Sequence, residues 1–254
     1  MKDLQTEAEK KPFAAAVKAL WIEMFEDKES YVDHYMSSTW KHNRVLLLLR
    51  GEEIVSMLHL NPYTCIVQGE RLDLHYIVGV CTKKAEQGKG YMGQLVTEAL
   101  RICKEDGEPF TYLMPAAEAI YRPYDFVSAG WCDKFVIEAE EAAPSLPQAR
   151  WDAIVPELGQ AGSIQNVGNH TLQICPFDRW TAGQTKQLES FAAELPMDMH
   201  AAWTVAYFAE TDQQMKCYDG ELVAVWDQEK PIAIAAYLCE EDQSEAEITH
   251  VLPA

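Results

Sequence analysis

The sequence predicts an α/β chain of the α+β kind: a mixed, largely antiparallel sheet flanked by helices, followed by a second unit of similar plan. Three observations predict it. Apolar residues recur at helical spacing in residues 13–40 and again after residue 90. Between them lie hairpin-like runs with tight glycine turns. A glycine-rich stretch, "EQGKGYMG" at residues 86–93, then separates the last strand-like run from the next helix.

Each element has its own signal. In "FAAAVKALWIEMFEDKESYVDHYMSSTW", Phe13, Val17, Leu20, Trp21 and Met24 fall on one helical face, "EDKES" interrupts, and "YVDHYM" starts a second helix. "VLLLLRGEEIVSMLHL" reads as two strands joined at Arg50-Gly51-Glu52, and "CIVQGERLDLHYIVGV" repeats the pattern around Gln68-Gly69. After the glycine stretch, Met92, Leu95, Val96, Ala99, Leu100 and Cys103 mark a helix face that ends near Gly107. "FTYLMPA" reads as a buried strand, "AEAIYRPYDF" as a short helix stopped by Pro123, and "WCDKFVIEAE" as a further strand. "EEAAPSLPQAR" reads as a linker. Beyond it, "AGQTKQLESFAAEL" looks helical, "AAWTVAYFAE" is ambiguous, and "LVAVWDQEKPIAIAAYL" and "AEITHV" look like strands. Residues 222–251 repeat the strand order of residues 45–80 with a shorter loop, which reads either as an internal repeat or as a coincidence of two hairpins.

The bulk numbers narrow the function classes. A length of 254 residues suits one large or two small domains, and 48% hydrophobic with 24% charged residues is an ordinary globular balance. No apolar run is long enough to span a bilayer, and the charged start "MKDLQTEAEKKPF" lacks a signal-peptide core, so the expected location is the cytoplasm. Seven widely spaced cysteines without a CxxC pair, and seven scattered histidines, predict neither a disulfide framework nor a metal. The net charge is −19, and residues 136–254 hold 5 basic and 20 acidic side chains, against 16 and 20 in residues 1–135. Such a chain repels nucleic acid and anionic membranes, and neither is an expected partner. The sequence leaves the oligomeric state, a homo-oligomer included, open.

A glycine turn at a helix start has a physical use. The first amides of a helix lack partners and the dipole is positive there, so glycines that let the backbone approach closely can hold a phosphate. The spacing excludes a Walker loop, because Lys89 is followed by Gly90 and Tyr91 rather than Ser or Thr. Gly88, Gly90 and Gly93 do match GxGxxG. However, the preceding strands read as hairpins, and no acidic residue ends a second parallel strand about 20 residues on, as a dinucleotide fold requires. A plain helix-start turn is the competing reading.

The order of elements resembles the GNAT acetyltransferase superfamily. Gln87, Gly88, Lys89, Gly90, Tyr91 and Met92 occupy that family's Q/R-x-x-G-x-G/A loop, with Met92 in place of a small residue and Gly93 one place late. "AIYRPYDF" is similar to the family's "xLYxxxGF" segment, with Tyr121 and Phe126 matching and Asp125 replacing the glycine. "LMPAAEAIY" and "LWIEMFEDKESYVDHY" resemble the Eis-like (enhanced intracellular survival) branch. The resemblance implies a GNAT fold, with an acetyltransferase domain at residues 1–135 and an incomplete GNAT-like second domain at 136–254. The lipid-carrier-like third domain of full Eis proteins has no counterpart among these residues.

The resemblance also implies acetyl-CoA as cosubstrate and transfer of its acetyl group to a primary, cationic amine on a small molecule or peptide. Loop amides from Gly88 to Gly93 would hold the pyrophosphate, Val80, Cys81 and Thr82 would pair with the pantetheine arm, and Ala116 and Ala117 would line the far side of the cleft. Lys83, Lys84 and Lys89 would screen phosphate charge, or are simply solvated. Tyr121 would protonate the leaving thiolate, or is a core aromatic with a satisfied hydroxyl. Asp73 and His75 are the candidates for the base. Cys81 is a covalent acetyl carrier or a buried inert thiol. Glu23, Glu26, Asp27 and Glu29 would give the acceptor cleft a negative wall. A non-catalytic acyl-CoA-binding or interaction protein is the alternative function, supported by Met92, Asp125 and the missing third domain.

Overall fold

The computed structural model describes residues 1–130, 135–138, 163–167, 170–195, 197–239 and 245–253. The chain divides into two units, Met1–Trp131 with Asp198–Ala201 and Cys132–Met197 with Ala202–Ala254.

In the first unit, β1 (Lys2–Leu4), β2 (Arg44–Arg50), β3 (Glu53–Val67) and β4 (Glu70–Thr82) form an antiparallel sheet in that order. The β2–β3 turn has Gly51 at φ +64°, and the β3–β4 turn has Gln68 and Gly69 at φ +50° and +83°. Two positive-φ residues in a two-residue hairpin turn match the twist of the flanking strands. The "NPYT" segment does not interrupt β3. Pro62 lies past the last β2 pair, at Leu60, and before a short strand β8 (Met199–Ala201) that joins the β3 edge at Cys65–Val67. A residue without an N–H is tolerated at such an unpartnered edge.

Helices cover both faces of this sheet. On one face, α2 (Ala14–Met24) and α3 (Glu29–Ser37) bury Val17, Leu20, Trp21, Val32 and Tyr35 against Val45, Leu47, Met57 and Cys81. A short α1 (Glu7–Lys10) precedes α2. On the other face, α4 (Tyr91–Glu105) buries Leu95, Val96, Ala99, Ile102 and Cys103 against Leu46, Leu48, Leu58, Leu60 and Ile77. This explains the unbroken "VLLLL" of β2: its side chains go alternately to two cores rather than to a core and water. The α4 end is a two-bond cap, Gly107 N to Lys104 O and Glu108 N to Cys103 O, with Gly107 at φ +82°.

"FTYLMPA" departs from the expectation of a buried strand. It makes one parallel bridge, Tyr112 with Tyr76, and Met114 is 70% exposed. Pro115 has no N–H to continue a ladder, and the segment leaves β4 after that bridge. It leads into α5 (Glu118–Tyr121), which continues as a 3₁₀ turn, Arg122–Tyr124, through Pro123 instead of stopping there.

In the second unit, β5 (Phe135–Glu138), β6 (Ser163–Val167), β7 (His170–Pro176), β9 (Glu221–Asp227), β10 (Lys230–Cys239) and β11 (Glu245–Pro253) form an antiparallel sheet ordered β5-β11-β10-β9-β7-β6. Its helices α6 (Ala182–Ala193) and α7 (Val205–Lys216) bury Leu188, Ala192, Phe208 and Met215 against Leu222, Ala224, Trp226, Ile234 and Ala236. The ambiguous "AAWTVAYFAE" divides between β8 and α7, with Thr204 capping the helix through Tyr207 N. Phe135, expected in the first domain, pairs with Ile248 of this second sheet. The β9-β10-β11 run is a three-strand antiparallel meander, as is β2-β3-β4. The linker residues "EEAAPSLPQAR" lie outside the described residues.

Candidate active site

The glycine stretch is a seam between β4 and α4. Gln87 turns back to the end of β4, its Nε2 donating to Thr82 O at 3.2 Å. Gly88 and Gly90 have φ of +75° and +76°, and Gly90 is the N-cap of α4. Among the described residues, no atom beyond the chain neighbours stands within 4 Å of where a Cβ would sit on either glycine. Among the described residues, no hydrogen bond uses the amide N–H of Gly88, Lys89, Gly90, Tyr91, Met92 or Gly93. The six consecutive donors lie at the positive end of α4, with open space beside Gly88 and Gly90.

Gly93 differs from the other two. A Cβ there would lie 2.4 Å from the Tyr124 hydroxyl, so this glycine permits close packing of α4 on the Tyr124 segment. Tyr91 and Met92 are half-buried and pack into the α4-side core, which accounts for a large residue at 92.

The loop's cations are held by carboxylates. Glu86, buried, accepts from Lys89 at 2.8 Å and from Arg50 at 2.6 Å. Lys83 pairs with Glu53 at 2.7 Å, an ion pair that holds the Glu53 carboxyl below its usual range. Lys84 is exposed. Nothing in the residue pattern singles out Glu86; a lone glutamate in a charged loop looks solvated until the fold buries it.

At the other side of the seam, β4 carries a bulge. His59 pairs with Val78 and Met57 with Cys81, so Leu58 opposes both Gly79 and Val80. Gly79 takes φ +63°, with Trp21 packed 3.0 Å from the position of its absent Cβ. Val80 turns to the α4-side core and Cys81 to the other. Burial, and then the charge of Glu23, push the Cys81 thiol up to about 12, which favours the protonated thiol at neutral pH. The Thr82 hydroxyl meets Ser56 Oγ at 2.8 Å, and Ser56 donates to Cys81 O at 2.7 Å.

Past Ile77, whose N–H donates to Tyr112 O at 2.9 Å, β4 has no parallel neighbour among the described residues. The strand and the limb carrying Ala116 and Ala117, both exposed, form a split whose apex is the Tyr76–Tyr112 bridge. Tyr121 follows on the same limb. It is half-buried, its ring 5.7 Å from Phe126. Burial, and then the nearby Tyr76, raise its pKa, so the phenol stays protonated at neutral pH. Among the described residues, no hydrogen bond engages its hydroxyl, while its ring packs against the α4-side core.

The candidate bases lie on the other side of the apex. Asp73 accepts from Thr64 Oγ1 at 2.6 Å. His75 bonds through Nδ1 to Glu108, whose second oxygen accepts from His75 N at 2.8 Å. With Cys103 these make the one group among the described residues whose three metal-type donors lie within 4.8 Å of each other. Two of its members, His75 and Glu108, bond to each other, and burial pushes the Cys103 thiol up to about 12.

Of the acidic residues on the α2–α3 side, Asp27 accepts from Trp21 Nε1 at 2.8 Å and Glu29 from Lys18 at 2.9 Å. Glu23 and Glu26 are exposed, and Glu23 adds, after burial, to the raised pKa of Cys81. Beneath these helices runs a buried polar chain. Lys10 Nζ donates to Trp40 O and to Asn43 O and Oδ1. Asn43 Nδ2 donates to Tyr35 Oη at 2.8 Å, Tyr35 donates to Asn61 Oδ1 at 2.8 Å, and His59 Nδ1 lies 2.9 Å from Tyr35 Oη. With the Tyr35 proton on Asn61, His59 donates from Nδ1. Burial, then Lys10, lowers the His59 pKa to about 3, so the ring is neutral.

Residues 8–129, just under half of the chain, match the family model described as the acetyltransferase (GNAT) domain. Solved structures share the fold over nearly the whole chain. A GCN5-related N-acetyltransferase from Anabaena variabilis matches at 15% identity and a TM-score of 0.61, covering 98% of this chain and 58% of its own. One from Kribbella flavida matches at 16% and 0.59, covering 100% and 58%. Eis1 from Mycobacterium abscessus matches at 14% and 0.57, covering 95% and 55%. The chain therefore spans little more than half the length of these proteins, and the likeness is one of fold. No curated protein matches the sequence.

Proposed function

We propose, from the premise that residues 8–129 are a GNAT acetyltransferase domain, that the chain is an acetyl-CoA-dependent N-acetyltransferase acting on a cationic amine. The observation that carries this reading is the run of six unpartnered amides at the α4 N-terminus, beside a strand that has lost its parallel neighbour. Acetyl-CoA supplies an activated acetyl group and a thiolate leaving group.

The residues divide the work. Amides of Gly88–Gly93 take the pyrophosphate, with Lys89 held near by Glu86. The unpaired edge of β4 offers backbone groups to an extended amide-bearing arm, as an added strand would. Backbone N–H groups at Val80–Thr82, re-aimed by the Gly79 bulge, donate to the carbonyl oxygen as negative charge builds there. As the amine nitrogen bonds to the acetyl carbon and the C–S bond breaks, Tyr121 Oη would give its proton to the departing sulfur and regain one from the acylated nitrogen, directly or through water, so that the net proton transfer runs from nitrogen to sulfur. The Gly79 bulge, the Glu86 ion pairs and the Tyr121 phenol all belong to one unit of the chain. A second GNAT-like domain in residues 136–254 and kinship with the Eis-like branch belong to the same reading, supported by neighbours that cover almost the whole chain.

Gly90→Glu tests the site. It puts bulk and a negative charge where these amides would face phosphate, at a residue with φ +76°. Calorimetry should show acetyl-CoA binding lost while the thermal melt stays cooperative. Unchanged binding in a folded variant would sink the assignment. Thiol release that requires an amine separates the enzyme from a non-catalytic acyl-CoA-binding protein.

A further inference from the structure

We propose that His75, Cys103 and Glu108 bind a thiophilic divalent cation, zinc foremost. The inference does not rest on the acetyl-transfer reading: His75 precedes the Tyr76–Tyr112 bridge along β4, whereas the glycine turn follows the strand's far end. The sequence predicts no metal, because its histidines and cysteines are scattered. The fold gathers these three, and one donor atom from each lies within 4.8 Å of the other two.

The cap of α4 builds half of the site. Glu108 N donates to Cys103 O at 2.9 Å, behind Gly107 at φ +82°, so residue 108 folds back over residue 103. β4 supplies the rest. Glu108 Oε2 accepts from His75 N at 2.8 Å, Glu108 Oε1 bonds to His75 Nδ1, and Thr111 Oγ1 donates to His75 O at 2.6 Å. The three donors therefore stand on backbone that is already tied together, and binding has little left to order. The last turn of a helix is also the negative end of its dipole, where a cation is favoured.

Charge points the same way. The Glu108 side chain is 6% exposed, and among the described residues no lysine or arginine pairs with it. A buried carboxylate without a fixed positive partner is costly, and His75 offers a positive charge only when protonated. A dication held by a thiolate, a carboxylate and a neutral imidazole leaves no net charge. The donor set selects the metal. Sulfur and imidazole suit zinc, whereas magnesium and calcium take oxygen. Zinc bonds of about 2.0–2.3 Å set tetrahedral donors roughly 3.3–3.8 Å apart, so shifts on the order of 1 Å complete the geometry. Cys103 is 3% exposed and the His75 side chain 22%, so the fourth position, filled by water, opens at the histidine. On binding, Cys103 gives its thiol proton to solvent, and the metal takes over from the His75–Glu108 hydrogen bond.

The test uses the full chain, stripped of metal with a chelator and kept reduced. It is titrated with cobalt(II), whose bond to a thiolate gives a charge-transfer band in the near ultraviolet. The band should saturate at one equivalent and bleach when zinc(II) is added. Cys103→Ser should abolish it, and His75→Gln or Glu108→Gln should weaken cobalt binding by at least about ten-fold. Zinc should also raise the melting temperature of the wild type but not that of Cys103→Ser. His75→Gln, at the rim of the site, carries the comparison should Cys103→Ser fail to fold. Three results overturn the site: no band in the folded wild type, a band that survives in folded Cys103→Ser, or cobalt affinity unchanged in folded His75→Gln and Glu108→Gln. Each leaves an ordinary histidine–carboxylate hydrogen bond beside a buried thiol. The readout involves no acetyl-CoA, so failure of the transfer reading leaves it untouched.

Discussion

At Tyr121 the ring is packed and the hydroxyl is not engaged, and these two facts lead to different mutational outcomes. Tyr121→Phe keeps the Phe126 contact and removes only the proton. The melting temperature should stay close to wild type while kcat falls by roughly 10²–10⁴, with acetyl-CoA affinity nearly unchanged. An unchanged kcat would return the residue to the core. His59 leads to a pH prediction. Its folded pKa is about 3, below the ordinary 6.5, so the unfolded chain takes the proton first as pH falls. The native state is fully favoured above 6.5 and loses stability on the way down, by up to about 1.4 kcal/mol per pH unit. Chemical denaturation between pH 6.5 and 5, above most carboxylate titrations, reads this slope, and His59→Gln should flatten it. Neither the tautomer nor the burial of His59 is legible in the sequence. "SMLHL" places a histidine on a strand, but only the fold brings Lys10, Tyr35, Asn43 and Asn61 around it.

At the scale of elements, the junction of β4 and α4 is legible because its glycines have few other uses. The sequence does not assign the three glycines different tasks. Gly88 and Gly90 need positive φ and open space, whereas Gly93 yields its side-chain volume to Tyr124. Gly93→Ala should therefore destabilise the fold by about 1–3 kcal/mol through overpacking, although alanine is the better helix former. Tyr124→Phe removes the crowding oxygen, so Gly93→Ala should cost less in that background. Denaturation of the four-member cycle measures the difference, and strict additivity would show that the Tyr124 contact is not the cause. The limb after α4 misleads in sequence for a related reason. "FTYLMPA" is apolar enough for a buried strand, but Pro115 and the divergence at Tyr112 leave Met114 exposed. A single sequence does not reveal that a strand parts from its neighbour after one bridge. That parting creates the split on which the proposed site depends.

Across the whole molecule, alternation and turn chemistry make the two antiparallel meanders readable, since Gly51, Gly69 and the apolar runs between them allow few pairings. The pairing of Phe135 with Ile248 is not readable, because "FVIE" suits an edge strand of either sheet. The charge of −19 leads to a prediction at this scale. A cationic acceptor attracted through solvent should show kcat/KM falling between low and physiological ionic strength, with the rate at saturating amine little changed. An anionic best acceptor in a broad amine screen would contradict the reading of the acidic face. The most direct measurement for the account as a whole is release of CoA thiol from acetyl-CoA by the full chain, with and without a saturating cationic amine. The account predicts release that requires the amine and disappears in Gly90→Glu. Acetyl-CoA binding in calorimetry with no amine-dependent release would contradict it.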